Sequence, residues 1–98
     1  MRVKKVWVVA GQEGEYSDHI EWYICFYPSN RQAKNHVFHA NKKYSQLKAR
    51  YDMKVEKEGS ADWSKYKNPY DRVYSGGYCP SYTGVNYFCF PVELGPLL

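Results

Sequence analysis

Apolar and polar residues alternate most cleanly over residues 19–27, where Ile20, Trp22, Ile24 and Phe26 share one side and His19, Glu21, Tyr23, Cys25 and Tyr27 the other. A period of two is the mark of a β-strand. Residues 3–10 carry β-branched and aromatic side chains in partial alternation, with Val6, Val8 and Ala10 opposed to Trp7 and Val9, which predicts a strand buried at least partly on both faces. Between them, residues 11–18 hold two Gly, two Glu, Ser and Asp, a turn composition, so the pair is expected to form an antiparallel hairpin.

The period then changes. Pro28-Ser29-Asn30 stops the strand and offers Ser29 or Asn30 as a helix N-cap. Ala33, Val37, Ala40, Tyr44, Leu47 and Tyr51 recur at intervals of four, three, four, three and four, and no Gly or Pro interrupts them, predicting a helix over residues 30–51 with one apolar stripe. Residues 59–70 mix Gly, Ser, Asp, Lys and Asn-Pro and read as a loop, residues 72–75 as a short edge strand. Residues 85–94 form the last strand, with Phe88, Phe90, Val92 and Leu94 on one face and Pro91 pointing to a free edge or a bulge. The order predicts an α+β domain spanning residues 1–98, a small, mainly antiparallel sheet of three or four strands with one long helix across one face. In that assembly Ile20, Trp22, Ile24 and Phe26, with Phe88, Phe90 and Val92, meet the helix stripe.

Size and composition narrow the class. At 98 residues the chain has room for one modest core. No apolar run reaches the roughly 18 residues of a membrane span, and 18% aromatic content is foreign to a disordered chain. The basic start, Met1 to Lys5, is followed by apolar residues, but Gln12, Glu13 and Glu15 arrive too soon for a secretory core. An odd number of cysteines, three, favours free thiols and a reducing, cytoplasmic setting.

The charge of +4 is unevenly spread: six cations (Arg31, Lys34, Lys42, Lys43, Lys48, Arg50) and no acid lie in residues 30–51, and the remainder of the chain balances to −2. Such a field steers association with a charged partner. A solvated helix face is the plainer account of the same pattern.

Candidate chemistry is sparse. His36 and His39 are one helical turn apart, but no CxxC or HExxH pair exists, and a zinc site would need Cys79 and Cys89 brought to the helix, so these histidines read as surface groups. Gly76-Gly77-Tyr78-Cys79 matches no nucleophile signature, and neither a Walker loop nor a GxGxxG is present. No catalytic residue and no cofactor are expected. Nucleic-acid binding draws support from the basic helix together with Lys54, Lys57, Lys65 and Lys67, which could neutralise phosphates while the Tyr-rich loop stacks on bases.

Val6-Trp7-Val8-Val9 followed by Gly14-Glu15-Tyr16-Ser17-Asp18, with Tyr82-Thr83-Gly84, Tyr87 and Val92-Glu93-Leu94 at the other end, resembles small bacteriophage and prophage accessory proteins. The likeness covers both ends and not the Lys-rich middle. It implies a non-enzymatic protein acting in the bacterial cytoplasm by binding and inhibiting a host protein or ribonucleoprotein complex, as anti-CRISPR proteins do. On that reading Arg31, Lys34, Lys42, Lys43 and Arg50 form a docking ridge. Trp63, Tyr66, Tyr70 and Tyr74 supply aromatic anchors, and Glu13, Glu15 and Asp18 engage a basic site. The alternative is weakly specific DNA or RNA binding by the same helix and loop. A second copy could pair along an exposed strand edge over residues 85–90.

Overall fold

The computed structural model describes residues 4–14, 19–73 and 84–94. Three strands, β1 (Lys4–Glu13), β2 (Ile20–Tyr27) and β3 (Val85–Leu94), form an antiparallel sheet in the order β2-β1-β3, and the long helix α1 (Asn30–Glu58) packs on one face. This is the α+β architecture expected. Strand β1 runs three residues beyond the expected strand, so Gly11, Gln12 and Glu13 are paired residues and not part of the turn. Gly11 makes that extension possible: the Trp22 ring lies directly on it, and a Cβ there would fall 2.6 Å from the indole.

The helix begins where the chain predicts, with Ser29 extended (φ −127°, ψ 148°) and its hydroxyl accepting from the Gln32 amide. It continues for 29 residues, two turns past Tyr51. Val55 extends the stripe by one step, residues 52–58 contain no Gly or Pro, and Lys48–Asp52 and Lys54–Glu58 pair one turn apart. Gly59, left-handed at φ 83°, ends it by donating its N–H to the Val55 carbonyl at 2.7 Å. A helix this long, about 43 Å at 1.5 Å per residue, accounts for a radius of gyration of 16.1 Å, against about 13 Å for a compact chain of this size.

The strand faces differ from the expected assignment. Cα pairing shifts between Val9 and Ala10, so that Val9 faces Cys25 and Ala10 faces Tyr23, leaving Ile24 as the extra residue of a β-bulge. The bulge breaks the alternation of β2. Trp22 and Ile24 pack toward α1, as expected, but Cys25 and Tyr27 follow them, both touching His36, and Phe26 is turned to the opposite face with 67% exposure.

Strand β3 is inverted relative to expectation. Val85 and Tyr87 face α1 and form the core with Ala40, while Phe88, Phe90 and Val92 lie across the sheet from the helix with Val6, Val8 and Ala10. The burial of Val9 and Ala10, both fully enclosed, reflects the central position of β1 between two apolar faces.

The expected free edge over residues 85–90 is closed at one point. Asn41 on α1 reaches over β3, accepting from the Tyr87 N–H (2.9 Å) and donating to the Tyr87 carbonyl (3.1 Å). Tyr87 therefore directs both backbone groups away from β1. Pro91, four residues on and in the same phase, has no N–H to offer at that edge.

Residues 72 and 73 lie in a bend and not in the expected edge strand, of which residues 74–75 are outside the described residues. Among the described residues no helix is long and apolar enough to cross a membrane.

Candidate anion-binding cleft

The loop expected over residues 59–70 is ordered by its own side chains and by the core. Asp62 caps a short 3-10 turn (Trp63–Lys65), accepting from the Ser64 amide and hydroxyl. These two donors hold the Asp62 carboxyl below the usual carboxylate range.

Further on, Asp71 is buried and accepts at one oxygen from Trp22 Nε1 and from the Tyr87 hydroxyl, both at 2.9 Å, and at the other from the Val73 amide. Asn68 donates to the Ala40 carbonyl at 3.0 Å. Through these bonds the segment is tied to β2, β3 and α1 together. Burial first, and then the Asp71 charge, pushes the Tyr87 phenol far above its ordinary range, so Tyr87 acts as a fixed donor.

This anchoring sets Trp63 and Tyr66 against the second half of α1. Trp63 is buried, its ring meeting Tyr44 and Tyr51 edge-on and stacking on Tyr66 at 5.9 Å and 12°. Trp63 is therefore a core residue and not the exposed anchor expected. The helix stripe accordingly has two covers. Val37 and Ala40 meet the sheet, Tyr51 meets Trp63 and Tyr66, and Tyr44 touches both the sheet and Trp63.

Between α1 and this segment opens a cleft of about 390 Å³, lined by Lys43, Arg50 and Lys54 from the helix and by Asp62, Lys65, Tyr66 and Lys67 from the loop, with Leu47 at its floor. Five cations thus share one concavity with one acid, and that acid is already engaged by Ser64. The Arg50 guanidinium sits 6.0 Å from the centre of the Tyr66 ring, a cation–π distance that holds the arginine at the rim.

The expected site residues thus separate. Lys43, Arg50 and Tyr66 converge. Arg31 and Lys34 are exposed on the first turns of α1, with Arg31 nineteen residues before Arg50 and so about 28 Å away along the axis. Lys42 is exposed on the side of α1 away from the stripe. Tyr70 lies outside the cleft, stacked on His39 at 17°, with its carbonyl accepting from His36 Nε2 at 2.7 Å. Glu13 is a half-buried strand residue and not part of an acidic loop. Glu15, Asp18 and Tyr74 lie outside the described residues.

Sequence reasoning left Lys54, Lys65 and Lys67 out of the docking ridge and counted them only toward phosphate neutralisation. The available signal was the absence of any breaker between Tyr51 and Gly59, which carries Lys54 onto the flank of Lys43 and Arg50.

His36 is not the surface group expected. Its Nδ1 accepts from the Tyr27 hydroxyl at 2.8 Å and its Nε2 donates to the Tyr70 carbonyl, an arrangement that fits a proton on Nε2 and ties β2, α1 and the loop together. Cys25 Sγ lies 3.9 Å from the same imidazole, but burial pushes its thiol above the ordinary range and disfavours the thiolate that nucleophilic chemistry needs. Among the described residues no three His, Cys, Asp or Glu side chains group as metal ligands. No family model, no curated protein and no solved structure matches this chain.

Proposed function

We propose that this chain is a non-enzymatic binding protein that docks the cationic flank of α1 on an anionic surface of a host protein or ribonucleoprotein complex, and that it acts as a phage-type inhibitor of that complex. One observation carries the binding reading: among the described residues Arg31, Lys34, Lys42, Lys43 and Arg50 make no ion pair, whereas Lys48, which is not at the cleft, is held by Asp52 at 2.7 Å and Lys54, at the cleft, pairs with Glu58 at 3.8 Å. Cations left without internal partners keep their charge available for association. The inhibitory role and the bacterial cytoplasm rest on the resemblance to phage accessory proteins and follow from no residue alone.

The test is capture of a stoichiometric complex from bacterial lysate with the tagged full chain, repeated with Lys43→Glu/Arg50→Glu. Loss of the complex in the folded double variant is the expected result. Undiminished recovery with that variant removes the cleft from the reading.

Direct nucleic-acid binding is the second reading, favoured by the Arg50–Tyr66 pair beside four loop and helix lysines, a combination suited to a phosphate with a base stacked next to it. It predicts retention of a single-stranded oligonucleotide at low salt, with affinity falling steeply as salt rises and a shallower slope once Lys43 and Arg50 are replaced. Absence of any shift at low salt excludes it.

A further inference from the structure

The face of the sheet opposite α1 is apolar where an uncovered antiparallel sheet would be polar. Val8 lies level with Phe26 and Phe90, and Ala10 with Tyr23 and Phe88. Tyr23 meets Phe90 edge-on at 6.1 Å, and Phe88 stacks on Phe90 at 5.9 Å, so the surface is already ordered before anything binds. A shallow groove of about 450 Å³ runs between Tyr23, Phe26, Phe90 and Val92. Phe26 and Tyr23 are 67% and 64% exposed within this contiguous apolar face, the kind of patch that marks an interaction surface.

The charges on this face are distributed by register. Lys4 sits at one end of β1, level with Leu94, and Glu21 at the other end of β2, level with Gln12. Both are exposed, and the Glu21 carboxylate pairs with His19 at 3.3 Å. The apolar band between them carries no charge. Such a surface is self-complementary, because a second copy laid on it with its strands reversed places Lys4 over Glu21 and Glu21 over Lys4. With strands in the same direction, like charges would meet.

We propose that two copies of this chain associate through these faces, sheet on sheet, about a two-fold axis that runs across the strands. The contact is isologous, as closed dimers require, and the sheets stack about 10 Å apart, within reach of the long Lys4 and Glu21 side chains. The edges offer no equivalent route. Asn41 covers β3 at Tyr87, Pro91 lacks a donor, and the Ile24 bulge distorts β2.

Sedimentation equilibrium of the full chain over a rising concentration series tests the proposal. The expected result is a mass approaching twice 11.6 kDa, a dissociation constant raised at least tenfold by Phe26→Lys, and an unchanged circular dichroism spectrum for that variant. Because Phe26→Lys can perturb the strand, Lys4→Glu and Glu21→Lys are measured as well. Each alone weakens the dimer severalfold, and the two combined restore it. A monomer throughout the series overturns the proposal, as does a dimer indifferent to Phe26→Lys or a charge-swapped pair no better than either single variant.

Discussion

The two faces of the sheet are built from similarly apolar side chains and end in opposite conditions. The helix-side face closes over Val85, Tyr87 and Ala40 and is fastened by polar groups: Asp71 accepts from Trp22 and Tyr87, and Asn41 pairs with the Tyr87 backbone. The far face gathers Tyr23, Phe26, Phe88 and Phe90 with no element of the described chain upon it. The difference lies in hydrogen bonding and not in hydrophobicity. The polar network selects Tyr87 over Phe88 for the interior, since a Tyr whose hydroxyl finds a buried acceptor and whose ring fills the core binds the loop, the helix and the strand at once.

Substitutions that treat the two faces alike should therefore give unlike results. Ala40→Asp, at a fully enclosed contact of α1 with β3, places a carboxylate where it has no counterion and should abolish folding, given a total margin of about 5–15 kcal/mol. Phe26→Ser on the far face should keep a cooperative melt, and comparison of the two by circular dichroism is decisive. An Ala40→Asp protein that melts like the parent would mean that α1 is not seated on this face.

Asp71→Ala strands the Trp22 indole and the Tyr87 hydroxyl, at about 1–3 kcal/mol for each unsatisfied donor. Chemical denaturation should show that loss, and Asp71→Asn, which can still accept, should recover part of it.

Gly11→Ala drives a methyl into the Trp22 ring and should cost about 1–3 kcal/mol, less if the indole can tilt. Indole fluorescence would report the tilt directly.

The smallest effect is alkaline. Burial raises the phenols of Tyr87 and Tyr44, and Asp71 adds to the rise at Tyr87. The folded state keeps these protons after the unfolded chain has begun to lose them near pH 10, so stability is complete below that pH and falls above it, by up to about 1.4 kcal/mol per pH unit for each tyrosine. Tyr87→Phe should flatten the decline while lowering stability at neutral pH. A decline of unchanged steepness in that variant would show that Tyr87 is not the group responsible.

Legibility in the sequence followed the range of the interaction. The N-cap at Ser29, the stripe from Ala33 to Tyr51, the hairpin pairing of β1 with β2 and the span of β3 all depend on residues within a turn or a strand of one another, and each is found where the pattern puts it. The helix terminus is hidden, because charged residues after Tyr51 mask a stripe that needs only Val55 to continue. The burial of Trp63 leaves no mark in its loop, which has no periodicity, because it depends on Tyr44 and Tyr51, far from it in the chain. The cleft was half visible: the helical cations stood out, but their convergence with Lys65 and Lys67 waits on Asp71 and Asn68 fastening the loop to the sheet.

Helix, strands and caps were legible from neighbours along the chain, because backbone geometry and hydrophobic spacing act over a few residues. Which side of each strand turns inward was not. The choice falls to contacts made across dozens of residues: one extra residue at Ile24 that reverses β2 from Cys25 onward, and one carboxylate at Asp71 that takes Tyr87 into the core and leaves its phenylalanine neighbours outside.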